Sequence, residues 1–178
     1  MGIPREPKTA KYFVALLSSD VDLLDTVEKD LSAVLSEIDG RSDIRPWTAS
    51  NFYEKEMGTG LLRRFLSILT LKSPERLVAI KLKTQGIEDQ YRSTSTRGRC
   101  INLDPGYLDA FKVVLASTKN AGQRIYLHSG IYGEVTLLYH NAGFHGLEYT
   151  YADYLWPESL AFFTRLRALY LTQLRQLG

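Results

Sequence analysis

The chain has a single cysteine, Cys100, and this scarcity excludes an intramolecular disulfide framework and a cysteine-rich zinc site. No apolar run approaches the length of about 20 residues that a membrane-spanning helix needs. Residues 1–8 also lack the apolar segment of a signal peptide. We therefore expect a protein of a reducing compartment, the cytoplasm, with no membrane partner.

Charge of one sign is scarce as well. The net charge is only +2 at pH 7, which disfavours a nucleic-acid partner without excluding it. Hydrophobic residues make up 44% of the chain and charged residues 24%, a balance typical of globular proteins. There is no internal repeat, low-complexity tract or linker that would divide the chain. We expect a single domain over residues 1–178, of unknown oligomeric state.

The sequence also lacks the motifs of common nucleotide and metal sites. Gly58 and Gly60 are not followed by Gly-Lys-Ser/Thr, and no Gly-x-Gly-x-x-Gly follows a predicted strand, so neither a P-loop nor a Rossmann nucleotide site is expected. The three histidines show no metal-binding spacing on a helix. A divalent cation held by carboxylates stays open, and the cofactor is otherwise unknown.

The patterns that are present predict an α+β fold. A continuous apolar run at residues 11–18 is typical of a central strand buried on both faces. The order of elements is β-α-β-β-α-β, which matches the ferredoxin-like antiparallel sheet with two helices on one face. The predicted strands cover residues 11–18, 43–48, 63–72 and 100–103, and the predicted helices run from Ser19 or Asp20 to Gly40 and from Ser73 to Tyr91.

A C-terminal extension follows this core. Pro105-Gly106 is interpreted as the turn that closes the fourth strand, and the polar residues 91–99 as a loop before it. The extension is predicted to contain a helix, two further strands and a long final helix. These elements cover residues 107–117, 124–128, 131–140 and 156–177, with a turn at 141–146.

Two segments offer acidic groups at places where a strand or loop could present them. Glu56 lies two residues after Glu54, so on an extended chain both carboxylates face one side, as acid/base or cation-binding chemistry requires. Asn102 and Asp104 have the same spacing. The alternatives are a solvated hairpin tip for Glu56 and a turn or helix-cap role for Asp104.

A third segment adds basic and aromatic groups. Alternation places Arg124 and Tyr126 on one face of a strand, while Glu134 stands in the middle of the next strand among apolar residues. A carboxylate there needs a partner, which Arg124 or Lys119 would supply. A structural ion pair and a ligand-binding cleft are both open interpretations.

These segments resemble a prokaryotic family catalogued only as a domain of unknown function, number 4416. The resemblance is carried by the Tyr-x-x-Glu-Met-Gly element at residues 53–58, the Asp-Pro-Gly-Tyr element within residues 102–107 and the Ala-Ser-Thr-Lys element at 116–119. It extends over the whole chain. It implies no activity, because the family has none established.

We therefore expect a small enzyme or ligand-binding domain with a polar cleft for an anionic, phosphate-bearing ligand. Asp104, Glu56 and Glu134 are the candidate catalytic or cation-holding groups. The candidate ligand-binding residues are Lys119, Arg124, Asn102, Tyr107 and Tyr126. The alternative is a non-catalytic RNA- or protein-interaction module, since sheets of this kind can present aromatic side chains to single-stranded bases.

Overall fold

The computed structural model describes residues 2–94 and 98–177. These residues form nine strands and four α-helices. The strands are β1 (Lys11–Ser18), β2 (Ile38–Arg41), β3 (Arg45–Pro46), β4 (Leu62–Ile68), β5 (Ile101–Leu108), β6 (Lys112–Ser117), β7 (Ile125–His128), β8 (Ile131–His140) and β9 (Gly143–Gly146); the helices are α1 (Val21–Val34), α2 (Glu54–Met57), α3 (Leu77–Gln90) and α4 (Pro157–Leu177).

The strands form one antiparallel sheet, as the α+β prediction requires. Its order is β2-β4-β1-β5-β6-β8-β7, with β3 added beside β4 and β9 beside β8. Each of these pairings is antiparallel. Within the described residues, no helix is both long and apolar enough to cross a membrane.

Strand β1 lies at the centre of the sheet, and its prediction at residues 11–18 is confirmed. All eight of its residues are buried. Tyr12, Val14 and Leu16 pack in one apolar core with residues of α1 and α3, while Phe13 and Ala15 pack in a second core with residues of α4. The sheet is therefore covered on both faces, which explains the uninterrupted apolar run.

The helix predicted at residues 107–117 is wrong, because this stretch continues one strand and forms most of the next. Strand β5 runs through Pro105 and Gly106, which lie opposite Val14 and Phe13 of β1. The chain reverses at Asp109, four residues after Pro105. The Asp109 carboxylate accepts hydrogen bonds there from the backbone N–H groups of residues 111 and 112 at 2.8 and 2.9 Å. The C-terminal extension therefore begins with strand β6 and not with a helix.

Several smaller boundaries also differ from the prediction, and the strand expected at residues 63–72 is β4, which ends at Ile68. Gly40 does not end α1, which stops at Val34; it lies in β2, where an added Cβ would stand 2.5 Å from the Ser67 hydroxyl. The strand expected at residues 43–48 is only the two-residue β3, since Pro46 has no N–H to extend a ladder. The turn expected at 141–146 contains β9. Of the loop predicted at 91–99, residues 95–97 lie outside the described residues.

Candidate functional site

A cavity opens where β5 and β6 separate. The two strands pair only over Gly106–Leu108 of β5 and residues 113–115 of β6, whereas Ala116 and Ser117 of β6 pair only with β8. Proline has no backbone N–H to donate, and the β5–β6 ladder stops at Gly106, beside Pro105. The cavity measures about 400 Å³, within the range of about 300–1,000 Å³ that is usual for small-molecule sites.

Asp104 forms the floor of this cavity. Its carboxylate accepts a hydrogen bond from the Asn102 amide at 2.6 Å and a longer one from the Lys81 ammonium at 3.3 Å. Burial acts to raise the pKa of Asp104, but the charges of Lys81 and Arg63 and the bond from Asn102 outweigh it, so the pKa lies below its ordinary value. The carboxylate is therefore ionised at neutral pH, and 29% of its side chain stays exposed toward the cavity.

Lys81 reaches the floor from α3. Its ammonium also donates to the Leu103 carbonyl at 2.8 Å, and only 6% of the side chain is exposed. Behind it lies Glu88, which accepts the Leu103 N–H at 2.5 Å. Burial raises the pKa of Glu88 to about 7, although the charge of Lys81 opposes the shift. A carboxyl group that titrates near neutral pH thus lies beneath the site.

Arg99 and Glu56 form one side of the entrance. The guanidinium donates to both carboxylate oxygens of Glu56, at 2.9 and 2.8 Å, and to the side-chain oxygen of Asn102 at 2.7 Å. The hydrogen bonds from Arg99 lower the pKa of Glu56 to about 2. Arg99 lines the cavity, whereas Glu56 lies behind it and fixes its orientation.

Arg124 and Glu134 form the opposite wall as a buried ion pair. The Arg124 guanidinium donates to Glu134 at 3.0 and 3.4 Å, to the Lys119 carbonyl at 2.9 Å and to the Tyr151 hydroxyl at 2.7 Å. The two side chains are only 6% and 3% exposed. Glu134 thus has the partner that its position in mid-strand demands, and its second donor is the amide of Gln123.

Arg63 and Asp153 form a second buried ion pair at the inner wall, with Nε and Oδ2 3.0 Å apart. The N–H direction lies outside hydrogen-bond geometry, so Nε and Nη1 of Arg63 and both carboxylate oxygens of Asp153 are buried without a hydrogen bond. The guanidinium lies 4.7 Å from the centre of the Trp47 ring. Burial raises the pKa of Asp153 despite the charge of Arg63.

Lys119 stands at the mouth, on the exposed loop that follows β6. Its ammonium lies over the Phe52 ring, 4.5 Å from the centre. Its backbone N–H donates to the Ser117 hydroxyl at 3.1 Å, and Thr118 between them also lines the cavity. Among the described residues, no carboxylate lies within 4.0 Å of the Lys119 ammonium.

The cavity carries more positive than negative charge. Five cationic side chains line the cavity, and four of them have a carboxylate partner. The partnered pairs are Lys81–Asp104, Arg63–Asp153, Arg99–Glu56 and Arg124–Glu134. The remaining cation is Lys119, so the excess positive charge of the cavity lies at its mouth.

The cavity brings together five of the eight side chains that the sequence singled out: Asn102, Asp104, Lys119, Arg124 and Glu134 all line it. Glu56 acts from behind Arg99. Tyr107 points to the opposite face of β5, where its ring packs 5.9 Å from that of Tyr12. Tyr126 is 58% exposed on β7, beside Tyr132 and away from the cavity.

The sequence did not single out four of the charged residues that line the cavity: Lys81, Arg63, Arg99 and Asp153. Lys81 interrupts the apolar stripe of α3, four residues after Leu77 and three before Thr84, and a lysine at such a position signals a buried partner. Arg63 and Asp153 are far apart in sequence, and only the packing of α4 and its preceding segment against β4 brings them together. Nothing in either local pattern could have found that pair.

The described residues contain no group of three or more histidine, cysteine, aspartate or glutamate side chains that could hold a metal ion. The rings of His140 and His145 are stacked with centres 4.0 Å apart on the β8–β9 hairpin, outside the cavity.

A protein-family model with the description "Domain of unknown function (DUF4416)" matches residues 8–170. Neither a curated protein nor a solved structure matches the chain.

Proposed function

The chain belongs to the DUF4416 family of domains of unknown function, and from the geometry of its cavity we propose that it binds a small phosphate-bearing ligand. The observation that carries this proposal is Lys119, the one lining cation without a carboxylate partner among the described residues. An anion at the mouth would meet this ammonium together with the hydroxyls of Ser117 and Thr118. Charge-assisted hydrogen bonds of this kind are the stronger ones in proteins.

The partnered cations support the same assignment. Arg124 is held by Glu134 and Tyr151, and its guanidinium also fixes the Lys119 carbonyl, which sets the course of the loop. We propose that Glu134 and Glu56 orient Arg124 and Arg99, and do not act as acids or bases. In a catalytic version of the function, Asp104 would be the general base, because its carboxylate is ionised and exposed to the cavity.

The fold proposal follows the sheet order. Strands β2, β4, β1 and β5 lie side by side in that order, with α1 and α3 on one face, and this is the arrangement expected of a ferredoxin-like core. We propose that β6 to β9 and α4 extend this core within a single domain. The proposed setting is the cytoplasm, in keeping with the single cysteine.

Thermal-shift measurements with inorganic phosphate and organic phosphates test the function. Ligand that binds only the folded state stabilises it by RT ln(1 + [L]/Kd), which raises Tm by about 2–4 °C for each kcal/mol in a chain of this size. We expect the shift to be lost in Lys119→Ala and retained in Lys83→Ala, a change on the exposed surface of α3 outside the cavity.

Two results would contradict the proposal. One is a phosphate-dependent shift that Lys119→Ala and Lys83→Ala reduce equally, since the binding would then not depend on the cavity mouth. The other is the absence of any shift together with binding of single-stranded RNA that weakens steeply with salt, which would favour the interaction-module alternative.

A further inference from the structure

We propose, on the basis of the phosphate-binding function above, that the ligand is a polyol phosphate such as a sugar phosphate. Its phosphate would lie at Lys119 in the mouth, and its hydroxyl groups would point inward to Asp104, Asn102 and Arg63. Four features of the cavity support this orientation and this chemistry.

The first feature is the distribution of charge along the cavity. At the inner end, Arg63 and Lys81 face Asp153 and Asp104, so two positive charges meet two carboxylates. The inner end has no net positive charge to attract a second anionic group of the ligand. Such a group would also lie beside both carboxylates, which would repel it. The inner end therefore suits a neutral polar group, and only the mouth suits the anion.

The second feature is the mixture of donors and acceptors at the inner end. An ionised carboxylate such as Asp104 only accepts hydrogen bonds, whereas a guanidinium such as Arg63 only donates them. Asp104 keeps 29% of its side chain exposed, and Asn102 beside it adds an amide. A hydroxyl group both donates and accepts, so it is the ligand group that can satisfy both kinds of partner at once.

The third feature is Arg63 itself. Its side chain is 4% exposed and lines the cavity, and Nε and Nη1 of its guanidinium are buried without a hydrogen bond, although Nε lies 3.0 Å from Asp153. Buried polar groups are usually hydrogen-bonded, and an arginine carries five N–H donors. Because Nε and Nη1 are buried, Nη2 is the nitrogen that we assign as the donor to the ligand.

The fourth feature is the aromatic wall. Trp47 and Tyr53 line the cavity, with ring centres 6.0 Å apart and planes at 74°. Phe52 meets Tyr53 edge-on as well, at 88°. These edge-on pairs form no parallel slot into which a nucleobase could stack, but a single ring face suffices to pack against the C–H groups of a polyol.

Isothermal titration calorimetry with five probes tests the inference. The probes are inorganic phosphate, propyl phosphate, glycerol 3-phosphate, glucose 6-phosphate and adenosine 5′-monophosphate. Propyl phosphate and glycerol 3-phosphate differ only in two hydroxyl groups, so their comparison needs no change in the protein. We expect at least one of the two hydroxylated phosphates to bind about tenfold or more tightly than propyl phosphate, because a site built to hydrogen-bond hydroxyls rejects analogues that lack them.

Two variants locate the two ends of the ligand. Asp104→Asn should reduce the advantage of the hydroxylated phosphates over propyl phosphate about tenfold, because the amide replaces one acceptor by a donor. Lys119→Ala should weaken all the phosphates together. Lys83→Ala serves as the control, and a thermal melt of each variant without ligand verifies that it is folded.

The outcomes separate this inference from the proposed function. If the phosphates bind and depend on Lys119, but propyl phosphate binds as tightly as both hydroxylated phosphates, the polyol inference is overturned and the proposed function stands. Tighter binding of adenosine 5′-monophosphate than of either hydroxylated phosphate would also overturn it, in favour of base recognition. If none of the five probes binds, the proposed function itself is overturned.

Discussion

At the scale of single residues, the site depends on which charges are already neutralised. Arg124 and Glu134 neutralise each other in the interior, and neither is more than 6% exposed. Such a pair orients its neighbours, and here it fixes Tyr151 and the Lys119 carbonyl. Lys119 has no such partner among the described residues, so its charge is available to bind a ligand.

Breaking the buried pair should be costly. Glu134→Leu leaves the Arg124 charge buried without compensation, and we expect a loss of about 3–5 kcal/mol in the free energy of unfolding, measured by urea denaturation. Glu158→Leu is the control, because Glu158 pairs with Arg45 where both side chains are about half exposed and such pairs contribute about 0–1 kcal/mol. Equal losses in the two variants would show that the Arg124–Glu134 pair has no special role.

Glu88 should make stability depend on pH. Its pKa in the folded protein is about 7, against an ordinary value of 4.5, so between these values the folded state binds a proton that the unfolded state has lost. Stability therefore falls as pH rises through that window. Glu88→Gln removes the titration and keeps an oxygen to accept the Leu103 N–H.

The measurement is urea denaturation of both proteins at pH 4.5 and pH 8. Going from the lower to the higher pH, wild type should lose about 3 kcal/mol more than Glu88→Gln, since one pKa unit corresponds to about 1.4 kcal/mol. Glu75→Gln, at an exposed position just before α3, should follow wild type. A Glu88→Gln protein with the same pH dependence as wild type would show that Glu88 does not titrate in this range.

The sequence predicts individual site residues where side chains alternate between the two faces of a strand. The spacing of Asn102 and Asp104 predicts a pair on one side of an extended chain, and the need of Glu134 for a partner indicates Arg124 or Lys119, of which Arg124 is the partner in the structure. Lys81 and Arg63 were not recognised, because each depends on a contact across the sheet. Local spacing carries no information about which helix lies behind which strand.

At the scale of elements, the decisive feature is that β5 passes straight through Pro105-Gly106. Pro-Gly is typical of turns, and the residues after it also fit a helical spacing, so both were misinterpreted. In the structure the β-branched residues Val113 and Val114 belong to strand β6, and the turn lies at Asp109. By contrast, β1 and β8 have the bounds that the sequence predicts, residues 11–18 and 131–140.

Gly106 should be essential to the pairing of β5 with β6. An added Cβ would stand 2.5 Å from the Val114 carbonyl oxygen, 2.6 Å from the Phe13 ring and 2.9 Å from Leu115, so Gly106→Ala must displace backbone. We expect a loss of about 1–3 kcal/mol or more in urea denaturation. Gly86→Ala in α3 is the control: nothing lies within 4 Å of the new Cβ, and the helix should gain about 0.5–1 kcal/mol. If Gly106→Ala caused no loss of stability, that result would contradict the close packing at Gly106.

At the scale of the whole molecule, the sheet separates two apolar cores. α1 and α3 cover one face, and α4 covers the other, with Phe163 at the centre of the second core against Phe13, Phe65 and Tyr154. Because β1 contributes to both cores, we expect them to unfold together. The cavity lies where β5 and β6 separate, so its geometry depends on the packing of both strands.

Phe163→Ala tests this coupling. The side chain is fully buried, and its loss should cost about 3–5 kcal/mol while unfolding remains a single transition by both circular dichroism and tryptophan fluorescence. Phe111→Ala, at a site 70% exposed, should change stability by no more than about 0.5 kcal/mol. Two separate transitions in the Phe163 variant would show that the cores are independent.

The most direct test of the central claim is an NMR titration of ¹⁵N-labelled protein with glycerol 3-phosphate. If the ligand binds in the cavity with its phosphate at the mouth, the largest saturable amide shifts will be those of Thr118 and Lys119. Smaller shifts are predicted at Asn102 and Asp104, and all of them should be lost in Lys119→Ala. Saturable shifts confined to residues outside the cavity, or shifts that persist unchanged in Lys119→Ala, would contradict the proposed site.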